Sequence, residues 1–316
     1  MPAEVSIIVP VKNGEKTIKK CLDSLLSIDY PNFDIFVIND GSSDNTPAIL
    51  REYGSKIRLL ETNGTGPSLA RNLAAGQAQS DYLAFTDSDC VAGRDWLSEL
   101  IKGLERYPEA AACGGVQELP EDSAKFEKKV FLFMQKAGFI SDYLRKTKGE
   151  KIIEVAHNPS FNVIYKRDVF LKEGGFQEGL WPGEDVELDY RLTKKGYKLI
   201  LNPKAVVYHY KPKNLNSFLK MMLRYGWAQG FLVRKYGIFR KMQLLPIFNV
   251  FFLVLVLLCV MSNPTLAFWL VLAIASILAG FCGDFFVFWL FLTGGLFWHL
   301  GFIRGLSAKK SLCDNF

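Results

Sequence analysis

The chain has 316 residues and carries 38 Lys and Arg against 32 Asp and Glu, a formal net charge of +6. That length holds one large domain or two modest ones. The basic excess is local, with Arg224, Arg234, Lys235, Arg240 and Lys241 before a long apolar stretch and Arg304, Lys309 and Lys310 after it, which argues against a nucleic-acid partner and for a membrane surface.

From the N-terminus, residues 5–9 read as a strand stopped by Pro10, and no basic leader or long apolar core precedes it. The first domain is therefore expected to stay in the cytoplasm. Residues 15–26 are helical, with Ile18, Cys21, Leu22, Leu25 and Leu26 on one stripe. Strands follow at 33–38, 56–60 and 82–86, and helices after Asp44 or Asn45, at 68–78 behind the turn Asn63-Gly64-Thr65-Gly66-Pro67, and at 95–106. This alternation predicts right-handed βαβ units and a mostly parallel sheet with helices on both faces.

Beyond 111–116 the pattern loosens. Residues 120–150 are charged and partly helical, with Phe126, Val130, Phe131, Phe133 and Met134 on an apolar face. Strands are expected at 152–156, 161–165, 197–201 and 206–209, and a helix at 184–195 entered through Trp181-Pro182-Gly183. The six cysteines, Cys21, Cys90, Cys113, Cys259, Cys282 and Cys313, form neither a Cys-x-x-Cys pair nor a zinc spacing. They are expected as reduced thiols.

In residues 214–243, Phe218, Met221, Met222, Tyr225, Phe231, Leu232, Tyr236 and Phe239 alternate with cations, the composition of an amphipathic segment lying in a membrane interface. From Leu244 to Ile303 the only charged residue is Asp284. That stretch divides at about 244–262, 265–282 and 285–303, each near the ~20 residues of a spanning helix. Basic clusters at both ends imply an even number of crossings, whereas the segment count is odd. The expected organisation is a cytoplasmic domain at 1–213, an interfacial segment at 214–243 and a multi-pass membrane domain at 244–316 with two or three transmembrane helices.

Two acidic clusters carry the chemistry. Asn39-Asp40-Gly41-Ser42-Ser43-Asp44 and Asp87-Ser88-Asp89 each follow an apolar, strand-like run. Carboxylates at the ends of parallel strands sit where an open α/β sheet binds ligands. An Asp-x-Asp pair offers hard oxygen atoms to Mg²⁺ or Mn²⁺, and such an ion holds a diphosphate. A nucleotide-diphosphate donor is implied, with a sugar as its leading cargo.

With Val5-Ser6-Ile7-Ile8-Val9-Pro10-Val11-Lys12-Asn13-Gly14-Glu15, Ala70-Arg71-Asn72, Gly174-Gly175-Phe176 and Gly183-Glu184-Asp185 in register with those clusters, the chain resembles family 2 glycosyltransferases, inverting enzymes of the GT-A fold. The resemblance spans residues 5–210, about two thirds of the chain. It implies that Pro10, Val11 and Asn13 wall the nucleobase, and that Asp40 accepts a hydrogen bond from the base or its sugar. Asn39 stands where the family usually has a first acid. Arg71 reaches the nucleotide or diphosphate, or else makes a surface salt bridge. By the same resemblance Asp89 is the metal ligand, and Asp87, with Ser88 beside it, contacts ribose or a metal-bound water. His209 is an added ligand or a packed histidine, and the metal is Mn²⁺ or Mg²⁺. Asp185, beside Glu184 at a helix start, is the catalytic base. Trp181 stacks on the acceptor sugar or packs in its loop.

The implied partners are a UDP-sugar, with GDP- or dTDP-sugars as alternatives, and a hydroxyl of a lipid-linked or other glycan acceptor. The implied location is the cell membrane. A polyprenyl-phosphate sugar synthase is the nearest alternative, although an ionised phosphate acceptor needs no base. A processive synthase would carry Gln-x-x-Arg-Trp where this chain has Arg224-Tyr225-Gly226-Trp227-Ala228-Gln229. An inactive membrane scaffold would be expected to have lost Asp40, Asp87, Asp89 or Asp185. A dinucleotide dehydrogenase would need a G-x-G-x-x-G after the first strand.

Overall fold

Short apolar runs ended by Asp, Asn or Gly become strands, and longer stripes become the helices that cover them. The computed structural model describes residues 4–138 and 151–308. These divide into two units, the first covering residues 4–123 and 151–210 and the second 124–138 and 211–308. Lys309, Lys310, Cys313 and the expected helical residues 139–150 lie outside the described residues.

The first unit holds one sheet. Its strands are β1 (Val5–Val11), β2 (Phe33–Asp40), β3 (Arg58–Thr62), β4 (Tyr82–Phe85), β5 (Cys90–Ala92), β6 (Ala110–Glu118), β7 (Ile153–Val155), β8 (Val163–Lys166) and β9 (Lys198–His209). They are ordered β3-β2-β1-β4-β8-β6-β9-β5, with β7 on β9. Its helices are α1 (Ile18–Leu26), α2 (Thr46–Arg51), α3 (Pro67–Gln77), α4 (Trp96–Arg106), α6 (Arg167–Lys172) and α7 (Glu184–Lys194). The second unit contains α5 (Lys125–Ala137), α8 (Leu215–Tyr236), α9 (Leu245–Ser262), α10 (Pro264–Cys282) and α11 (Phe285–Ser307).

The expected parallel sheet runs through β3-β2-β1-β4 and recurs between β6 and β9. Between and beyond these, β8 and β5 pair antiparallel, as does β7. β5 starts too soon after β4 for the crossover that a parallel neighbour needs, so it turns away to the end of β9. β1 does not stop at Pro10 but continues to Val11. Its pairing with β4 ends at Ile8, so Pro10 lies where β4 has no ladder bond left to lose.

Alternate residues of β1 feed two cores, as strand geometry requires. Ile7 and Val9 pack with Leu22 and Leu25 of α1 and Trp96 and Leu100 of α4. Ile8 packs with Ala70 and Ala74 of α3, Leu188 and Leu192 of α7, and the Phe85–Phe170–Phe176 cluster. The segments 197–201 and 206–209, expected as two strands, form one strand, β9. Its register against β6 shifts between Gly114 and Val116. Gly115 permits this, because a side-chain carbon there would lie 2.0 Å from the Ala205 carbonyl oxygen.

In the second unit, α8 begins at Asn214, whose side chain accepts the Ser217 N–H at 2.9 Å, and ends at Gly237 in a positive-φ conformation. Its aromatic face does not stand free. Phe218, Met222, Trp227 and Leu232 are buried. Gly226 and Gly230 meet the backbone of Trp298 and Phe302 on α11, while Gly301 and Gly305 meet that of Leu223 and Trp227. Two small-x-x-x-small pairs thus interlock, an arrangement that lets helix backbones approach closely. By contrast, α9 and α10 are apolar and exposed almost throughout. Among the described residues Cys21, Cys90, Cys113, Cys259 and Cys282 are free thiols, as expected.

Candidate active site

The strand ends of the first unit converge by a zipper of polar side chains. Asn13, at the end of β1, has φ of 55°, a left-handed conformation that asparagine tolerates. Its N–H donates to Ser42 Oγ at 2.9 Å, and its Oδ1 accepts the Ser43 N–H at 2.8 Å. Thr46 Oγ1 accepts the Gly14 N–H, and Asp44 accepts the Glu15 N–H. The loop after Pro10 and Val11 is thereby clamped to the loop after Asn39 and Asp40. A side-chain carbon at Gly14 would lie 3.6 Å from the Ser88 hydroxyl oxygen, which places the Asp-x-Asp turn beside the same loop.

Asp40 is buried and heavily used. Its Oδ1 accepts from Thr62 Oγ1 at 2.6 Å and from the N–H and hydroxyl of Thr65, and its Oδ2 accepts the Gly66 N–H at 2.8 Å. Burial works against its charge, but these four donors outweigh it and hold the carboxyl below its usual range. Asp40 therefore shapes the turn that opens α3. Its Oδ2 has one acceptor site beyond the Gly66 bond.

β5 explains the position of His209. Cys90 pairs directly with His209, which brings His209 Nε2 to 3.4 Å from Asp89 Oδ1. Asp89, Cys90 and His209 each offer a ligand atom within 4.8 Å of the others. Cys90 is buried and offers a soft sulfur, which a hard Mn²⁺- or Mg²⁺-type ion does not favour. Asp89, whose side chain is 45% exposed, and His209 remain, an oxygen and an imidazole. That donor set fits a Mn²⁺- or Mg²⁺-type ion.

Arg71 makes salt bridges, as its alternative reading expected, but inside the protein and not at the surface. It is fully buried on α3 and bridges two acids, with Nη2 2.6 Å from Asp87 Oδ1 and Nη1 2.7 Å from Glu184 Oε1. Burial opposes its charge, and Asp87 and Glu184 more than restore it. Asn72, the next residue, exchanges hydrogen bonds with both backbone groups of Phe176 and so fastens the Gly-Gly-Phe turn to α3. Gly175 sits in that turn at φ of 63°.

At the start of α7, Gly183 at φ of 105° turns the chain so that Glu184 and Asp185 open the helix. Glu184 is buried and also accepts from the Ser160 hydroxyl at 3.1 Å. Burial and the neighbouring Asp185 raise its pKa to about 7, against the pull of Arg71. Asp185 accepts the N–H of Ser160 at 3.0 Å and that of Val186 at 2.7 Å, and its side chain is 17% exposed. Trp181, in the preceding loop, is partly exposed.

Two further residues went unread in the sequence. His157 places Nε2 4.0 Å from Asp185 Oδ2 and Nδ1 2.9 Å from Asp189 Oδ2. Asp189 is completely buried and also accepts from the Asn158 N–H and the Tyr165 hydroxyl. Burial nonetheless raises its pKa. The available signal was the spacing of Asp185 and Asp189, four apart and hence on one helix face.

A curled α/β sheet with acids at its strand ends and a trailing set of apolar helices defines a GT-A transferase architecture. The family model described as glycosyl transferase family 2 matches residues 6–173, more than half of the chain, and the chain belongs to that family. A similar protein is the dolichyl N-acetyl-alpha-D-glucosaminyl phosphate 3-beta-D-2,3-diacetamido-2,3-dideoxy-beta-D-glucuronosyltransferase of Methanococcus voltae, 27% identical over 255 residues and 77% of each chain. Among solved structures, the mannosyltransferase PcManGT from Pyrobaculum calidifontis, in complex with GDP-Man and Mn²⁺, aligns with 98% of this chain and 89% of its own. Its TM-score is 0.70 and its identity 19%. TarS 1-349 of S. aureus, in complex with UDP-GlcNAc, covers 72% of this chain and 66% of its own with a TM-score of 0.51 and 22% identity. These two structures establish the fold.

Proposed function

We propose that this glycosyltransferase is a metal-dependent, inverting enzyme of the membrane surface that moves a sugar from a nucleotide-diphosphate donor to a hydroxyl of a lipid-linked glycan. The observation that carries the reading is the buried Arg71, which ties Asp87 of the donor end to Glu184 of the acidic pair. One rigid ion network thereby spaces the donor's acids from the acceptor's.

Within the pair the roles divide by environment. Glu184 is committed to Arg71 and Ser160, whereas Asp185 keeps part of its carboxylate open at the positive end of α7. Asp185 takes the proton of the acceptor hydroxyl as that oxygen attacks the anomeric carbon. The bond from that carbon to the diphosphate oxygen breaks on the opposite face, its electron pair leaves with the diphosphate, and the configuration inverts. A divalent cation held by Asp89 and His209 would neutralise charge on the departing diphosphate. Asn13, Pro10 and Val11 border the nucleotide, and Trp181 borders the acceptor.

The Methanococcus voltae relative is named for transfer to a dolichyl-linked N-acetylglucosaminyl phosphate, which supports a lipid-linked acceptor here. The solved relatives carry GDP-Man in one case and UDP-GlcNAc in the other, so both nucleotides belong in the test, with a UDP-sugar as our choice. Transfer to a bare polyprenyl phosphate is the second reading. It is favoured less because the acidic pair at α7 suits a hydroxyl that must be deprotonated. The basic residues before α9 support a catalytic unit on the cytoplasmic side.

The test is a panel of UDP-, GDP- and dTDP-sugars with the full-length protein, with Mn²⁺ or EDTA, reading thermal protection and nucleoside diphosphate release. One nucleotide class should protect and turn over only with the cation. Full turnover in EDTA would remove the metal assignment, and protection by no nucleotide sugar would remove the donor assignment. Organic extraction of the product separates lipid-linked from water-soluble acceptors.

A further inference from the structure

Among the described residues, three helices of the second unit are long and apolar enough to cross a membrane, but they are not alike. α9 and α10 have 0% and 11% of their apolar windows buried, whereas α11 has 33%. The difference is one-sided. On α11, Val287, Leu290, Gly294, Trp298, Gly301, Phe302 and Gly305 are buried, and Phe285, Leu292, Leu296, Leu300 and Ile303 are exposed on the other side.

We propose that α9 and α10 alone cross the membrane as a hairpin, and that α11 lies along the surface it starts from, with its exposed apolar stripe on the lipid of that leaflet and its small-residue face on α8. Three observations converge on this.

The first is where the feet of the hairpin stand. Asn249, in the second turn of α9, is bonded to His299 of α11 at 2.8 Å. Phe281, in the last turn of α10, has its ring 6.1 Å from Phe291 of α11. Residues 291 and 299 are ~12 Å apart along a helix, at 1.5 Å per residue. α9 and α10 are each ~27–28 Å long and are joined at Asn263. Two long sides on a short base make a narrow hairpin, and α11 runs along that base. Had α11 risen across the bilayer from the foot of α10, His299 would stand ~20 Å above the base, while Asn249 stands ~6 Å from the start of its own helix. The bond between them rules that out.

The second is the company α11 keeps. α8 runs parallel to α11 and touches its backbone at Gly226, Gly230, Gly301 and Gly305, so the two helices share one depth. α8 carries Lys220, Arg224, Arg234 and Lys235 along its length, which a hydrocarbon core does not accept without pairing or water. α5 holds the other end of α11, through Lys129 to Asp284 and through the ring contact of Phe133 with Phe291. Lys136 also donates to the Phe281 carbonyl at 2.7 Å.

The third is charge. Cations stand both before α9 and after α11, the signature of one membrane side. Two crossings satisfy that signature, whereas three contradict it. The length of α9 and α10 also matches a hydrocarbon core of ~30 Å.

The experiment is cysteine accessibility of the full-length protein in sealed vesicles of both orientations, in a background of Cys259→Ser and Cys313→Ser. Lys213→Cys, Ser262→Cys and Ser307→Cys are probed one at a time with a membrane-impermeant maleimide, and detergent-permeabilised samples set the full signal. Lys213→Cys and Ser307→Cys should react from the same face, and Ser262→Cys from the other. Reaction of Ser307→Cys only from the Ser262 face would establish a third crossing and overturn the proposal. Reaction of Ser262→Cys from the Lys213 face would remove the hairpin. A protease site appended after residue 316 decides the same question should Ser307→Cys stay unreactive after permeabilisation.

Discussion

Gly301→Ala should destabilise the protein, although alanine is the better helix former. The added methyl would lie 2.0 Å from the Leu223 carbonyl oxygen and 2.8 Å from the Trp227 amide nitrogen. A relaxed C–H···O contact needs about 3.3–3.6 Å, so α8 and α11 must separate by ~1.3 Å or more. The obstructing atoms are backbone, which has no rotamer to move to. Overpacking costs about 1–3 kcal/mol, and a rigid obstruction puts this site at the upper end. Helix propensity returns about 1 kcal/mol, which leaves a net loss of about 2 kcal/mol. At about 2–4 °C per kcal/mol, Tm should fall by about 4–8 °C. The control lies on the same helix. Nothing stands within 4 Å of a side-chain carbon at Gly295, so Gly295→Ala should gain stability, with Tm rising by about 2–4 °C. Thermal unfolding of both variants in one detergent reads the difference. Equal shifts of the same sign would refute the glycine interlock between α8 and α11.

Glu184 gives the protein a pH dependence of stability. Its pKa of about 7 in the folded chain stands above the ordinary 4.5, so the folded state holds this proton more tightly and stability falls as pH rises from about 4.5 through 7. Glu184→Gln should flatten that part of the profile in urea unfolding between pH 5 and 8. An unchanged slope would place the titration elsewhere. Asp89→Ala should abolish transfer and weaken nucleoside-diphosphate binding in Mn²⁺, measured by calorimetry, with Tm of the free protein within about 2 °C of wild type, since an exposed side chain is removed. Normal turnover by that variant would dismiss Asp89 as a metal ligand.

The legible parts of the chain were those governed by local chemistry. Strand-length apolar runs ending in Asp40 and Asp87, and a Gly-Glu-Asp helix start at 183–185, announced both the sheet and the acids on its rim. What stayed hidden depends on contacts between distant residues. Arg71 is bonded to a residue 16 positions away and to another 113 away, and nothing local distinguishes that from a surface pair. β5 has three residues, too few to show a period, yet its pairing is what brings His209 to Asp89. His157 meets Asp189 from 32 residues away. The glycine interlock was legible in principle, because Gly226-x-x-x-Gly230 and Gly301-x-x-x-Gly305 carry the spacing of close helix packing. The aromatic and basic residues around the first pair point to a membrane interface and carry no sign of which helix packs against it.

The most direct measurement is made on Asp185→Asn. Asparagine keeps the shape and the acceptor oxygen but cannot take a proton from the acceptor hydroxyl. With the donor found by the nucleotide-sugar panel, its dissociation constant and the rate of transfer to acceptor are determined for wild type and variant in the presence of Mn²⁺. Donor affinity should be within about threefold of wild type, and transfer should fall on the order of 10²-fold or more, the reach of general-base catalysis. Transfer at a near-wild-type rate with intact donor binding would contradict Asp185 as the base and return the acceptor to an already ionised phosphate.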